Sequence, residues 1–170
     1  KVRLTDIFRQ ALGSDIVINS HMINKGEMPP IKKNSGDFYF ASARSAETTA
    51  SSVLTLMTER IPLKFGIEPE DIQVICPSRQ LACGTMSLNR ILQQALNPQS
   101  AGKSEIRYGE VVFRTGDRVM QVRNNYDLVW RRTDSPEIGT GIFNGDTGVI
   151  VYIDNASNVL VVRYDDKEAD

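Results

Sequence analysis

Two cysteines and one histidine among 170 residues are too few for a Cys/His metal cluster, and Cys76 and Cys83 make no disulfide framework. The reading that follows is a pair of reduced thiols in a cytoplasmic protein. No run of about 18 apolar residues occurs, so no membrane-spanning segment is expected, and no signal peptide opens the chain. The phosphate-cradling G-x-x-x-x-G-K-[ST] loop is missing, as is an acidic magnesium-binding motif of the usual kind. Neither charge sign dominates. A formal net charge of −1 argues against non-specific polyanion binding by the surface as a whole. A local basic groove stays open, because binding responds to local rather than summed charge.

What is present reads as two kinds of structure in succession. Ser14 is placed to cap a helix ending near Gly26, with Pro29-Pro30 forbidding continuation. Ile16, Ser20 and Ile23 share one face of it. Asp37 to Phe40 is a short strand candidate. A long helix is expected from Ser45 to Arg60 or slightly beyond, with Pro62 near its end. Ile72 to Cys76 reads as a buried strand and Thr85 to Leu96 as a helix ended by Asn97-Pro98. Alternating helix and strand is the grammar of an α/β layer with a parallel sheet. Gln99 to Glu105 reads as a linker. Beyond it, Val111–Phe113, Arg118–Val122, Thr147–Ile153 and Val159–Tyr164 are strand-like. Turns are expected at Gly116-Asp117, Gly145-Asp146 and Asp154 to Asn158, which suggests a small barrel.

Arg123-Asn124-Asn125-Tyr126 combines a cation, two amides and a ring. Single-stranded nucleic acid is held by such cations along its backbone and by rings that stack on bases. The competing reading is that the two asparagines end a strand, since they tolerate left-handed geometry. Ser78, Arg79 and Thr85 surround a strand-to-helix turn, where free N–H groups at a helix start attract an anion. Alternatively, Thr85 only caps its helix and Arg79 is solvated. Phe143-Asn144-Gly145-Asp146 carries the strongest short hairpin signal. Trp130-Arg131-Arg132 falls in a loop broken by Pro136, either a basic flap or a solvated insertion. His21 reads as structural.

Three separated segments, in order, resemble the RecD-like superfamily 1 DNA helicases, which include the exodeoxyribonuclease V alpha subunit. They are Leu4 to Gln10 followed by Ser14, Asn19, His21, Asn24 and Gly26; Ile72 to Pro98; and Arg114 to Gly148. Leu81-Ala82-Cys83 departs from that pattern, standing where a basic-glycine pair is frequent. The resemblance implies an internal segment of a longer chain. Residues 1–106 would be part of the second RecA-like motor domain, an α/β unit with a parallel sheet and flanking helices. Residues 107–170 would be an inserted Src-homology-3-like β-barrel. The later helicase motifs, of the His-Lys-Ser-Gln-Gly and Thr-Arg types, are absent.

By the same resemblance Arg9 would contact an ATP γ-phosphate across an interdomain cleft, as the catalytic arginine, supported by Gln10. A planar guanidinium fork suits phosphate oxygens, which a lysine does not replicate. Ser78, Arg79, Thr85, Arg123, Asn124, Asn125 and Tyr126 would face single-stranded DNA. ATP and Mg²⁺ would belong to the parent protein, with no cofactor bound by this segment alone and no metal site in it. Its partners would be DNA, the first motor domain of the same chain and other subunits of a recombination nuclease. The activity implied is 5′-to-3′ unwinding in recombination and repair. Two alternatives are the motor of a conjugative relaxase-helicase and a non-enzymatic DNA-binding or protein-docking module. Lacking the phosphate loop, the 170-residue chain is expected to show no ATP turnover, with or without single-stranded DNA. A phosphate-release assay checks this, and DNA-stimulated turnover would contradict it.

Overall fold

The computed structural model describes residues 13–30 and 36–170. The chain divides into two compact units, residues 1–44 and 45–170. Arg9 and Gln10 lie outside the described residues.

In the first unit, helix α1 (Asp15–Asn24) begins where Ser14 is extended and its Oγ accepts the Val17 N–H at 3.4 Å. The Asp37 carboxylate also sits at this helix start. It accepts the Ile16 N–H at 3.2 Å and the Ser14 hydroxyl. The Ser14 hydrogen bond, aided by the Ile16 N–H, holds the Asp37 carboxyl below its ordinary range. At the other end Gly26 takes φ +80°. Its N–H reaches the Ile23 carbonyl while the Glu27 N–H reaches Met22, so the helix closes in a left-handed turn that glycine favours. The face expected to pack does not do so among the described residues. Ile16 and Ile23 are exposed, and Asn19 is the buried position. Phe38 to Phe40 is irregular rather than a strand.

The second unit opens with α2 (Ala46–Thr55), started by a reciprocal pair in which Ser45 Oγ accepts the Thr48 N–H and Thr48 Oγ1 accepts the Ser45 N–H. It continues through one π-helical turn (Leu56–Arg60) into α3 (Ile61–Phe65). Pro62 therefore does not stop the helix. A proline lacks the N–H for the i−4 carbonyl and crowds it, and the wider turn just before it accommodates that loss. Gly66 at φ +64° ends the rod.

Ile72–Cys76 follows a single 3₁₀ turn (Pro69–Asp71). Its side chains alternate between half-buried and exposed as in a strand, but no neighbouring strand pairs with it among the described residues, and Ile75 is 89% exposed. The parallel sheet expected for this region is therefore not formed by these residues; every strand pairing described is antiparallel. The physical reason is that a lone extended segment has no ladder, since each strand needs a second backbone for its N–H and C=O groups. Helix α4 (Thr85–Leu96) then buries Leu88 and packs against α2.

From Glu105 onward the chain is all strand and turn. β1 (Glu105–Tyr108) and β2 (Val111–Arg114) form a hairpin. β3 (Arg118–Met120), β4 (Asn125–Arg132), β5 (Ile138–Ile142), β6 (Thr147–Asp154), β7 (Val159–Tyr164) and β8 (Lys167–Ala169) form one sheet in the order β3-β6-β7-β8-β4-β5. Ile142, Ile150, Ile153, Val162, Tyr164 and Ala169 make its core, with Phe113, Val119, Leu128 and Trp130 against it. An irregularity between Ile150 and Tyr152 in β6 shifts the alternation by one residue. It keeps Ile153 inward and turns Tyr152 outward.

The segment expected to be a loop around Trp130 is instead the β4–β5 hairpin. Gly139 pairs with Trp130, and a Cβ at Gly139 would come within 2.3 Å of the indole, so the ring occupies the space that a side chain there would need. Arg132 ties this hairpin together through Asp134, Glu137 and Asp166. The supposed linker ends in a strand, because Glu105 already pairs with Arg114.

The barrel is joined to α4 by a half-buried polar network. Asp117 Oδ2 accepts the Arg114 N–H at 2.7 Å and Gln93 Nε2 at 2.5 Å, and Oδ1 accepts Asn97 Nδ2 at 2.7 Å. Arg114, only 5% exposed, donates Nε to Glu105 at 2.6 Å and Nη1 to the Asn97 carbonyl. Arg118 adds a second tie, donating to the Glu70 carbonyl at 2.5 Å. No helix among the described residues is long and apolar enough to cross a membrane. Asp117→Ala strands several half-buried donors at once and is expected to cost roughly 2–3 kcal/mol of stability. Exposed Asp134→Ala is expected to cost less than about 0.5 kcal/mol. Urea unfolding midpoints of the two variants check the contrast.

Candidate nucleic-acid interface

The sequence candidates among the described residues fall in two places with no described contact between them. The first is the loop between Pro77 and α4. The N–H groups of Thr85 and Met86, expected to be free for an anion, are already taken by the carbonyls of Ser78 (3.1 Å) and Arg79 (3.3 Å). The loop folds back onto its own helix start, and Gly84 makes this possible. A Cβ there would meet the Arg79 carbonyl group at 2.8 Å. The N-cap is Gly84 rather than Thr85, which occupies the first helical position and makes no capping bond. What remains outward is side chain. Arg79 and Thr85 are exposed and Ser78 is half-buried, and the Arg79 guanidinium has no partner among the described residues.

The second place is the chain between β3 and β4, together with the turn after β5. Arg123 is exposed and unpaired among the described residues. Asn124 braces the fold here, since its Oδ1 accepts the Asn144 N–H at 2.8 Å and its Nδ2 donates to Tyr126 Oη at 3.2 Å. Asn125 opens β4, and its Oδ1 accepts the Asp127 N–H at 3.3 Å. Tyr126 is 65% exposed and meets Phe143 edge-on, with ring centroids 5.5 Å apart and planes at 69°.

The Asn144-Gly145 signal marks a tight turn, with Gly145 at φ +99° and the Asp146 N–H on the Phe143 carbonyl at 3.0 Å. It does not make a hairpin, however, because β5 and β6 are not neighbours in the sheet. Instead the turn pairs with Gln121, which accepts the Gly145 N–H and donates to the Asp146 carbonyl. The pairing of Asn125 with Ile142 across β4 and β5 brings Phe143 to Tyr126. Phe143 is the contact residue that sequence reasoning passed over. Its only local signal was an aromatic side chain directly before Asn-Gly.

Beside Phe143 lies a groove of about 320 Å³, lined also by Asp146, Tyr164, Asp165, Asp166 and Lys167. Burial, and then the nearby negative charge of Asp146, raises the Tyr164 hydroxyl above its ordinary 10.0. Among the described residues no group of His, Cys, Asp and Glu is placed to hold a metal ion.

Residues 88–164, from within α4 to the end of β7, match the family described as ATP-dependent RecD-like DNA helicase SH3 domain. That stretch of the chain is RecD-like in sequence. Over 164 residues the chain is 27% identical to the ATP-dependent RecD2 DNA helicase of Deinococcus radiodurans, an alignment that covers 96% of the chain and 19% of that protein. The chain thus spans about a fifth of the length of this relative. The match begins inside α4, so the RecD-like SH3 domain includes the helix that Asp117 grips.

The raised Tyr164 value has a definite sign for stability. The folded state favours the neutral phenol, so its contribution is complete below the unfolded value near 10 and is lost as pH rises through the higher folded value. Tyr164→Phe is expected to flatten the decline in melting temperature above about pH 10, which thermal melts from roughly pH 8 to pH 11 check.

Proposed function

We propose that this chain is part of an ATP-dependent 5′-to-3′ DNA helicase and contributes a strand-gripping surface. The observation that supports this best is the RecD-like SH3 domain, which presents Arg123, unpaired among the described residues, shortly before an exposed tyrosine. Residues 1–106 are read as part of the second motor domain and residues 107–170 as its barrel insertion. On this reading Ile72–Cys76 is a strand of the motor sheet, and its neighbours come from other parts of the parent protein. The alternating burial of that segment and the exposure of Ile75 support it.

ATP and Mg²⁺ supply the energy in the parent. Arg9, with Gln10 beside it, is assigned to the γ-phosphate. Ser78, Arg79 and Thr85 contact one strand of DNA through side chains rather than through the helix start. Arg123, Asn125 and Tyr126 form the barrel's share of the grip, with Asn124 beside them. The first motor domain of the same chain is the obligatory partner. Other subunits of a recombination nuclease of the exodeoxyribonuclease V type are further partners, in a cytoplasmic setting and a recombination or repair role.

Closing and reopening of the nucleotide cleft steps these surfaces along the strand. The Asp117 network and Arg118 couple the barrel to α4 and to the chain ahead of the Ser78–Arg79 loop, so the two DNA-facing groups advance together. A grip on phosphates releases counterions and weakens with salt. The chain is expected to bind a labelled single-stranded oligonucleotide with an affinity that falls from about 50 to about 200 mM salt. Arg123→Ala is expected to lower the logarithmic salt slope by roughly one. Affinity independent of salt in fluorescence anisotropy would count against the DNA grip and for a protein-docking surface.

A further inference from the structure

Tyr126 and Phe143 are exposed rings that are nevertheless held in place. Asn124 bonds the Tyr126 hydroxyl with one end of its amide and the Asn144 N–H with the other. Asp146 Oδ2 accepts the Phe143 N–H at 2.8 Å. The Phe143 ring rests against Gly141, where a Cβ would come within 2.9 Å of Cζ, and Gly141 itself sits at φ +98°. Three polar contacts and one glycine thus fix two rings without burying them. Surface aromatics that only cover apolar neighbours need no such support, whereas a contact site gains from groups already held in their bound geometry.

Charge near this corner is uneven. Arg123, shortly before Tyr126 in the chain, is a cation with no carboxylate against it among the described residues. The groove beside Phe143 is lined by Asp146, Asp165, Asp166 and Lys167, and Asp166 is paired with Arg132, so the groove offers a phosphate no unanswered cation comparable to Arg123. An incoming single strand therefore finds its phosphate attraction at Arg123.

We propose that Tyr126 and Phe143 form a stacking corner for one unpaired base of a single strand, whose phosphates run on the Arg123 side. Phe143 is a binding residue and Asn124 a positioning residue that locks the corner. This rests on the DNA-grip reading and deepens it. Stacking needs only the π-face that every base carries, so the corner accepts any base.

The test uses the 170-residue chain with two labelled oligonucleotides of about 15 units in fluorescence anisotropy, oligothymidine and the same backbone carrying abasic spacers. Phe143→Leu and Tyr126→Leu are expected to weaken thymidine binding roughly five-fold or more and to leave the abasic strand unchanged. Phe143→Trp, which keeps a ring, is expected to restore the preference for bases and so separates loss of stacking from loss of folding. Asn124→Ala is expected to lose the thymidine-over-abasic preference while keeping the salt slope, which a merely structural change would not separate. If Phe143→Leu binds thymidine like the unaltered chain while Arg123→Ala still lowers the salt slope, the corner is overturned and the DNA grip stands. If the unaltered chain binds neither oligonucleotide at about 50 mM salt, both readings are overturned.

Discussion

One carboxylate organises the second unit. Asp117 stands at the tight turn between β2 and β3 and accepts three hydrogen bonds, one from its own turn and two from amide side chains of α4 and its C-terminal cap. An ionised carboxylate accepts such bonds roughly twice as strongly as a neutral group, and it sits where water is partly excluded. The same asparagine that reaches Asp117 offers its carbonyl to Arg114, whose charge is answered by Glu105. Helix, linker and barrel are thereby held through alternating charges and amides. Removing any member costs its neighbours a hydrogen bond, which couples the members of the network. The RecD-like match begins in α4 rather than at the first strand, as expected if helix and barrel form one piece.

That attachment decides what the barrel can do. A barrel on a free tether would add binding strength but transmit no displacement. Here the peptide carbonyl of Glu70 is bonded to Arg118 of β3, and α4 is bonded to the turn ahead of β3. The helical part of this unit and the sheet are thus tied at two places. Arg123, unpaired among the described residues, gives this rim an exposed cation although the whole chain is near neutral.

Much of the local structure was legible. Ser14 with Gly26, and Ser45 with Thr48, carry their helix boundaries in cap chemistry that acts within a few residues. The turns at Gly116-Asp117, Gly145-Asp146 and Asp154 to Asn158 likewise declare themselves through glycine, asparagine and aspartate. The β4–β5 hairpin was not legible. Its strands hold arginines, Thr140 and two glycines, residues that read as loop, and they become strand because Trp130 needs the bare backbone of Gly139. Ile72–Cys76 failed the other way: its pattern is that of a strand, but a ladder requires a second backbone. In the candidate site, the Arg123-to-Tyr126 group was visible as a composition, whereas Phe143 was not. The residues between Asn125 and Asn144 form a hairpin that carries the chain out and back, and the pairing of Asn125 with Ile142 makes its two ends meet.

The sequence by itself determined where helices start, where the chain turns and which family the order of motifs resembles, because caps, turns and motifs are encoded over short stretches. Tertiary structure alone decided that Asp117 is the hub, that the start of α4 is closed by its own loop, and that Asn124 supports rather than simply ends a strand. Each of these depends on a hydrogen-bond partner far along the chain or across a loop, and no local pattern records which of many possible partners a donor will find.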